Sequence, residues 1–186
     1  ASYDQEYWFR VPTHYENGQL IIQHTPEFDG VYYAYFAPYS LDRHQQLLAM
    51  VQCDARCRLR VAGTSLQGRD LDVLQIGNED AGRCVWITAR QHPGESMAEW
   101  LIEGLLERLL DSDDAVAEVL LDKLVFNIVP NMNPDGSMLG HLRTNAAGVN
   151  LNRVWSVADT ETSPEVFYIQ GMMEQTGCDL FLDIHG

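Results

Sequence analysis

Three short apolar runs constrain this chain more than anything else in it: CVWITA (84–89), LVFNIV (124–129) and LFLDI (180–184). Each is rich in β-branched and aromatic residues and passes directly into polar residues, the pattern of a strand buried in a sheet. Between them lies SMAEWLIEGLLERLLD (96–111), in which Met97, Leu101, Leu105 and Leu109 fall four apart while Glu99, Glu103 and Glu107 take other faces, so the segment reads as an amphipathic helix. PEVFYIQGMMEQTG (164–177) reads as another, with Pro164 suited to a first helical turn. Upstream, Ser40 is placed to cap a helix through LDRHQQLLAMVQ, and CRLRVAG and DLDVLQIG read as a hairpin. Strands alternating with helices predict an α/β fold: a mixed, mostly parallel sheet with helices on both faces. The last strand reads as buried, the Pro/Asn/Gly segment after Val129 as a loop, and the polar stretch 137–162 shows no period.

The first 39 residues differ. QLIIQHT and VYYAYFA, separated by EFDG, predict a β-hairpin at the end of an all-β piece too small to fold alone. The expected division is therefore 1–39, the end of a β-sandwich, and 40–186, the first part of an α/β domain. With 46% apolar and 21% charged residues, the chain has material for a core. Its 12 Lys and Arg stand against 27 Asp and Glu, a formal charge of −15. That balance excludes phosphate-backbone binding and adhesion to an anionic bilayer as the main task. No apolar run approaches ~18 residues, so no membrane span is expected. The acidic, aromatic start is not a secretory signal. Cys53, Cys57, Cys84 and Cys178 form no paired C-x-x-C knuckles; four free thiols in a reducing cytoplasm are expected.

The chemistry concentrates at strand ends. His92-Pro93-Gly94-Glu95 follows VWITAR directly, and its tight turn brings an imidazole and a carboxylate to one side of the strand end, donors suited to Zn²⁺ at about 2.0–2.2 Å. Alone, this spacing equally describes an exposed loop whose glutamate complements a helix N-terminus. His185, at the tip of LFLDIHG, alone reads equally as a hydrogen-bonded structural histidine. Together the three form a His₂Glu set that leaves a fourth position for water, the catalytic arrangement. Between them come NPDG (133–136), Arg143 and GVNLNR (148–153). The arginines there can hold a carboxylate by bidentate pairing or simply pair with surface acids.

HPGE, NPDG, the following arginine, GVNLNR and the final IHG stand in the order found in zinc metallocarboxypeptidases of the carboxypeptidase A/B type. With VYYAYFAPYS and the short spacer between Glu95 and His185, residues 31–186 most resemble the cytosolic carboxypeptidase subgroup, whose catalytic domain follows a β-sandwich. The resemblance implies one Zn²⁺ per chain on His92, Glu95 and His185. Arg143 would polarise the scissile carbonyl and stabilise the oxyanion, and it would contact substrate together with Asn152 and Arg153, which would hold the terminal carboxylate. The implied activity is hydrolysis of the C-terminal peptide bond of a peptide or protein by zinc-activated water, with glutamate as a released residue in the subgroup, in the cytoplasm. Asn150 stands where many relatives have Asp as partner of the first zinc histidine, which predicts a less basic ligand. The family's general-base glutamate and capping tyrosine fall after the third ligand. The chain therefore reads as cut after Gly186, and little peptidase activity is expected of it by itself.

Two other readings stand beside this one. An aspartoacylase or succinylglutamate desuccinylase type of zinc amide hydrolase shares the ligands, and a non-catalytic domain binding zinc or peptide C-termini would need no base. GTSLQ lacks the last glycine of G-x-S-x-G, and no phosphate-binding loop is present. His14, His24, His44 and His141 have no partner spacing that singles them out, although His141 lies near Arg143.

Overall fold

The computed structural model describes residues 1–186, which divide into two compact units, Ala1–Pro38 and Tyr39–Gly186. In the first, β1 (Thr13–Glu16) pairs antiparallel with β2 (Gln19–Ile22). Asn17 and Gly18 both take positive φ, 51° and 79°, which makes the two-residue Asn-Gly turn that matches strand twist. The sequence had suggested VYYAYFA as the partner of QLII. The partner is instead THYE, because Asn-Gly closes the tighter hairpin, and the strand-type pairing of 31–37 is an isolated bridge from Tyr32 to Ser2. Tyr3, Phe9, His24, Phe28 and Tyr33 form a chain of ring contacts along this unit, with Phe28 and Tyr33 still exposed.

The second unit runs α1 (Leu41–Val51), β3 (Cys57–Thr64), β4 (Asp70–Gly77), β5 (Cys84–Ala89), α2 (Ser96–Leu109), α3 (Ala115–Lys123), β6 (Val125–Val129), α4 (Pro134–Leu139), a 3-10 turn (Leu151–Arg153), α5 (Pro164–Thr176) and β7 (Leu180–Ile184). The five strands lie in the order β3-β4-β6-β5-β7. The sheet is mixed: β3/β4 and β4/β6 pair antiparallel, β5/β6 and β5/β7 parallel. Its parallel half aims the C-terminal ends of β5, β6 and β7 at one edge, where open α/β sheets place their sites. HPGE, the Asn-rich loop and IHG all begin there.

Residues alternate between two cores as strand pleating requires. Leu74, Ile76, Val85, Ile87, Phe126 and Ile128 face Leu47, Leu48, Ile102, Leu106 and Leu121 of α1, α2 and α3. Val73, Trp86, Val125 and Val129 face Val166 and Ile169 of α5. Helices thus cover both faces.

Three local readings change. The buried stripe of α2 is Ala98, Ile102, Leu106 and Leu109, with Glu99 buried too, whereas Leu101 is 50% exposed. The four-residue spacing found the helix and missed its rotation, because 3.6-residue turns also allow the stripe one position on. The Pro/Asn/Gly segment carries α4: the Asn133 side chain accepts from Gly136 N and Pro134 takes the first turn. β7 is half exposed along Leu180, Phe181 and Leu182, since it has a strand neighbour on one side only.

A buried polar network ties α1 and α2 to the end of β5. Glu99 receives Arg90 Nη1 at 2.6 Å and lies 2.6 Å from His44 Nδ1, while His44 Nε2 lies 3.3 Å from Asp72. Arg90 also donates to the carbonyls of Tyr39 (2.8 Å) and Pro93 (3.0 Å). Burial pushes the His44 pKa down, but the hydrogen bonds and charges of Asp72 and Glu99 outweigh it and raise it to about 9. Folded protein therefore binds this proton more tightly than unfolded protein, so the stabilisation is complete below the unfolded pKa near ~6.5 and is lost as pH rises to about 9.

Two outcomes follow from this architecture. Ile102→Ala will destabilise by about 2–5 kcal/mol and Leu101→Ala by under about 1 kcal/mol in urea unfolding; equal losses would restore the other stripe. The urea midpoint will fall between pH 6 and pH 9.5, and His44→Gln will flatten that fall; an unchanged slope in the variant assigns the pH dependence to other groups.

Candidate metal centre

His92 stands three residues beyond the last residue of β5, after Arg90 has turned the backbone with a φ of 54°. Few non-glycine residues adopt that conformation, and here the buried guanidinium secures it. Arg90 Nε holds the Pro93 carbonyl (3.0 Å), Glu95 N bonds the His92 carbonyl (3.0 Å), and Glu95 stands at the N-cap position of α2. The turn is held from a second side by the Asn-rich loop. Asn133 Nδ2 donates to the Gln91 carbonyl (3.0 Å), and a Cβ on Gly136 would sit 2.5 Å from the Pro93 ring. The glycine of NPDG is thus needed for close approach. Asp135, fully buried, accepts from Ser65 Oγ (2.8 Å), Gln67 N (2.9 Å) and Arg69 Nη1 (2.7 Å), anchoring this loop to the β3–β4 hairpin. Ser65, the serine of GTSLQ, is occupied by that anchor.

The three residues from 92 to 185 meet. His92 Nδ1 lies 3.0 Å from Glu95 Oε1, and His185 Nδ1 lies 2.7 Å from Glu95 Oε2. The imidazole centroids are 4.8 Å apart, and one ligand atom from each of the three residues falls within 4.8 Å of the others. The outer nitrogens face acceptors: His92 Nε2 donates to Asn150 Oδ1 (3.0 Å) and His185 Nε2 to Asp183 Oδ2 (2.8 Å). Amide and carboxylate oxygens only accept, so each Nε2 carries a proton, and in the neutral imidazole each Nδ1 then turns a lone pair toward the Glu95 carboxylate. Lone pair against lone pair is repulsive, and a shared cation, proton or metal, reconciles them. The donor set of two imidazoles and one carboxylate suits Zn²⁺. Burial would depress the His185 pKa, but its bonds to Glu95 and Asp183 prevail and raise it.

Arg143 comes beside this group because Gly94 N bonds the Leu142 carbonyl (3.0 Å); its Nη1 lies 3.8 Å from Glu95 Oε1, with the side chain half exposed. Asn152 and Arg153 lie on the 3-10 turn capped by Asn150, whose Oδ1 accepts both Asn152 N (3.1 Å) and His92 Nε2. Arg153 is exposed and donates to the Asn152 carbonyl (3.2 Å). His141 is drawn into its own loop by the carbonyls of Thr144 and Asn145, both 3.1 Å away. Sequence reasoning missed Arg90, Gln91 and Asp183. Only the D-x-H spacing before Gly186 could have marked the last.

Comparison with known proteins agrees with this geometry. Residues 45–186 match the zinc carboxypeptidase family, and residues 1–36 match the cytosolic carboxypeptidase N-terminal domain. Cytosolic carboxypeptidase 3 of Mus musculus is 33% identical over 171 residues, 85% of this chain and 17% of the mouse protein. The solved metallo-carboxypeptidase of Burkholderia cenocepacia is 51% identical with a TM-score of 0.95, over 100% of this chain and 50% of that one. That of Pseudomonas aeruginosa, solved with (2-guanidinoethylmercapto)succinic acid, is 50% identical with a TM-score of 0.96, again over 100% and 50%. The chain spans about half the length of these structures. No helix is long and apolar enough to cross a membrane. A family match from residue 45 to residue 186, and structural agreement over the whole chain at half-identical sequence, mean that the chain belongs to the zinc carboxypeptidase family, whose cofactor is Zn²⁺.

Proposed function

We propose that His92, Glu95 and His185 hold one Zn²⁺ and that the protein removes the C-terminal residue of peptides or proteins. The carrying observation is the pair of inward Nδ1 atoms at 3.0 and 2.7 Å from the two oxygens of one carboxylate, each fixed by an acceptor on its outer nitrogen. Bound there, Zn²⁺ supplies Lewis-acid polarisation of a carbonyl and acidification of water. The chain's own residues supply the rest. Arg143 offers an exposed guanidinium beside the carboxylate ligand, where charge develops on the carbonyl oxygen. Asn152 and Arg153 hold the substrate's terminal carboxylate, and the turn that carries them also orients His92 through Asn150. Residues 1–39 belong in this reading to the β-sandwich that precedes the catalytic domain of cytosolic carboxypeptidases, which the family match over 1–36 supports.

The finer reading is release of glutamate. It rests on the subgroup resemblance and on Arg143 beside Glu95, with Arg153 on the turn capped by Asn150, in a chain of formal charge −15. The ligand of the Pseudomonas aeruginosa neighbour carries a guanidino group beside its two carboxylates, so it does not favour an acidic over a basic released residue. The four cysteines are free, which suits the cytoplasm. NPDG and Arg143 favour a peptidase over an N-acyl amino-acid hydrolase, and parallel turnover of an N-acyl amino acid and a short acidic peptide separates them.

Metal analysis of the purified protein will give about one Zn²⁺ per chain, and the His92→Ala/His185→Ala double variant will give none; undiminished zinc in that variant removes the ligand assignment. In the intact enzyme Arg143→Ala will lower kcat/KM by about 10²–10³, mostly in kcat, on peptides ending in glutamate. A change confined to KM reassigns Arg143 to uniform substrate binding.

A further inference from the structure

We propose, resting on the zinc reading above, that Asp183 is the positioning residue that sets the strength of the histidine ligands, and that it does so through His185. The two imidazoles are held by unlike partners. His92 Nε2 donates to the neutral amide of Asn150 at 3.0 Å, and His185 Nε2 to the carboxylate of Asp183 at 2.8 Å. A charge-assisted hydrogen bond is about twice as strong as a neutral one, and a carboxylate behind an imidazole makes its other nitrogen a better donor to metal. The carboxylate supplied at one histidine thus stands in for the one absent at the other.

Asp183 is built to stay in place. In the parallel pairing of β5 with β7 it lies opposite Thr88, whose Oγ1 donates to its Oδ1 at 2.9 Å. Gln91 Nε2 donates to Oδ2 at 2.5 Å, and Gln91 Oε1 is itself held by Trp155 Nε1 at 3.0 Å. Both carboxylate oxygens are therefore pinned, with His185 Nε2 as the remaining donor. The route Trp155–Gln91–Asp183–His185 joins the segment just after Arg153 to the third ligand, and Gln91 directly precedes the first. One side chain thereby registers the ends of β5 and β7 on each other.

The test is zinc affinity of the metal-free protein by chelator competition at fixed pH, with folding followed by circular dichroism. Asp183→Asn keeps the volume and removes the charge, and zinc affinity will fall about 10–100-fold. Adding Asn150→Asp in that background restores a carboxylate at the other imidazole, and most of the lost affinity will return. Asp183→Asn affinity within about twofold of the parent overturns the proposal, as does a loss that Asn150→Asp leaves unrepaired, since either result marks a merely structural aspartate. If Asp183→Asn does not fold, Thr88→Val decides: freeing Oδ1 will weaken zinc binding several-fold, and unchanged affinity overturns the proposal. Absence of zinc binding in the parent itself overturns the metal reading instead.

Discussion

The buried guanidinium of Arg90 is the contact on which the site depends. The chain must leave a fully buried strand, reverse within a few residues and start a helix, and Arg90 meets that demand with a left-handed backbone and three polar partners. An unpaired charge at 7% exposure would cost several kcal/mol, so the arrangement exists only because Glu99 is fully buried beside it. Glu99 in turn needs His44, and His44 needs Asp72. The network fixes α1, α2 and β4 against the strand end, and the hydrogen bond to Pro93 passes that rigidity to the ligand turn. A metal site needs this, because ligands must be held close to their final geometry before the ion arrives.

Much of the α/β unit was legible in the sequence because its strands are short apolar blocks and α1 carries a side-chain cap at Ser40. The strands at 57–63, 84–89, 124–129 and 180–184 and the Ser40 cap lie where patterning puts them. What escaped was whatever depends on tertiary partners. Glu99 on an amphipathic helix reads as a solvent residue, and Arg90, Asn131 and His44, nine, 32 and 55 positions away, make it an interior one. The same holds for His44, whose partners come from other elements. The 31–37 segment is rich in β-formers yet forms no strand of its own, because propensity requires a paired edge to act on.

The candidate trio His92, Glu95 and His185 was legible for a different reason: HPGE and IHG begin where apolar runs stop, and the sheet's parallel half gathers such stops at one edge. Local spacing joins His92 to Glu95, and the sheet topology brings His185 to them. Topology also explains why the acceptors behind the histidines could not be read. Asn150 reaches His92 across a loop with no period, and Asp183 belongs to an edge strand whose alternation is blurred by the exposure of Leu180, Phe181 and Leu182.

The charge of the centre gives these acceptors a common logic. Glu95 lies against both inward nitrogens and Asp183 against one outward nitrogen, so two carboxylates would oppose a divalent cation bound there. A third at position 150 would make the group net negative in a chain already at −15. The added charge would weaken the field a metal offers to a carbonyl oxygen and draw Arg143 further onto the ligands. An amide there keeps the geometry: its oxygen still accepts from His92 and still caps the turn bearing Asn152. Asn150 and Asp183 are then one balanced choice, with the orienting contact kept at both histidines and the charge spent at one.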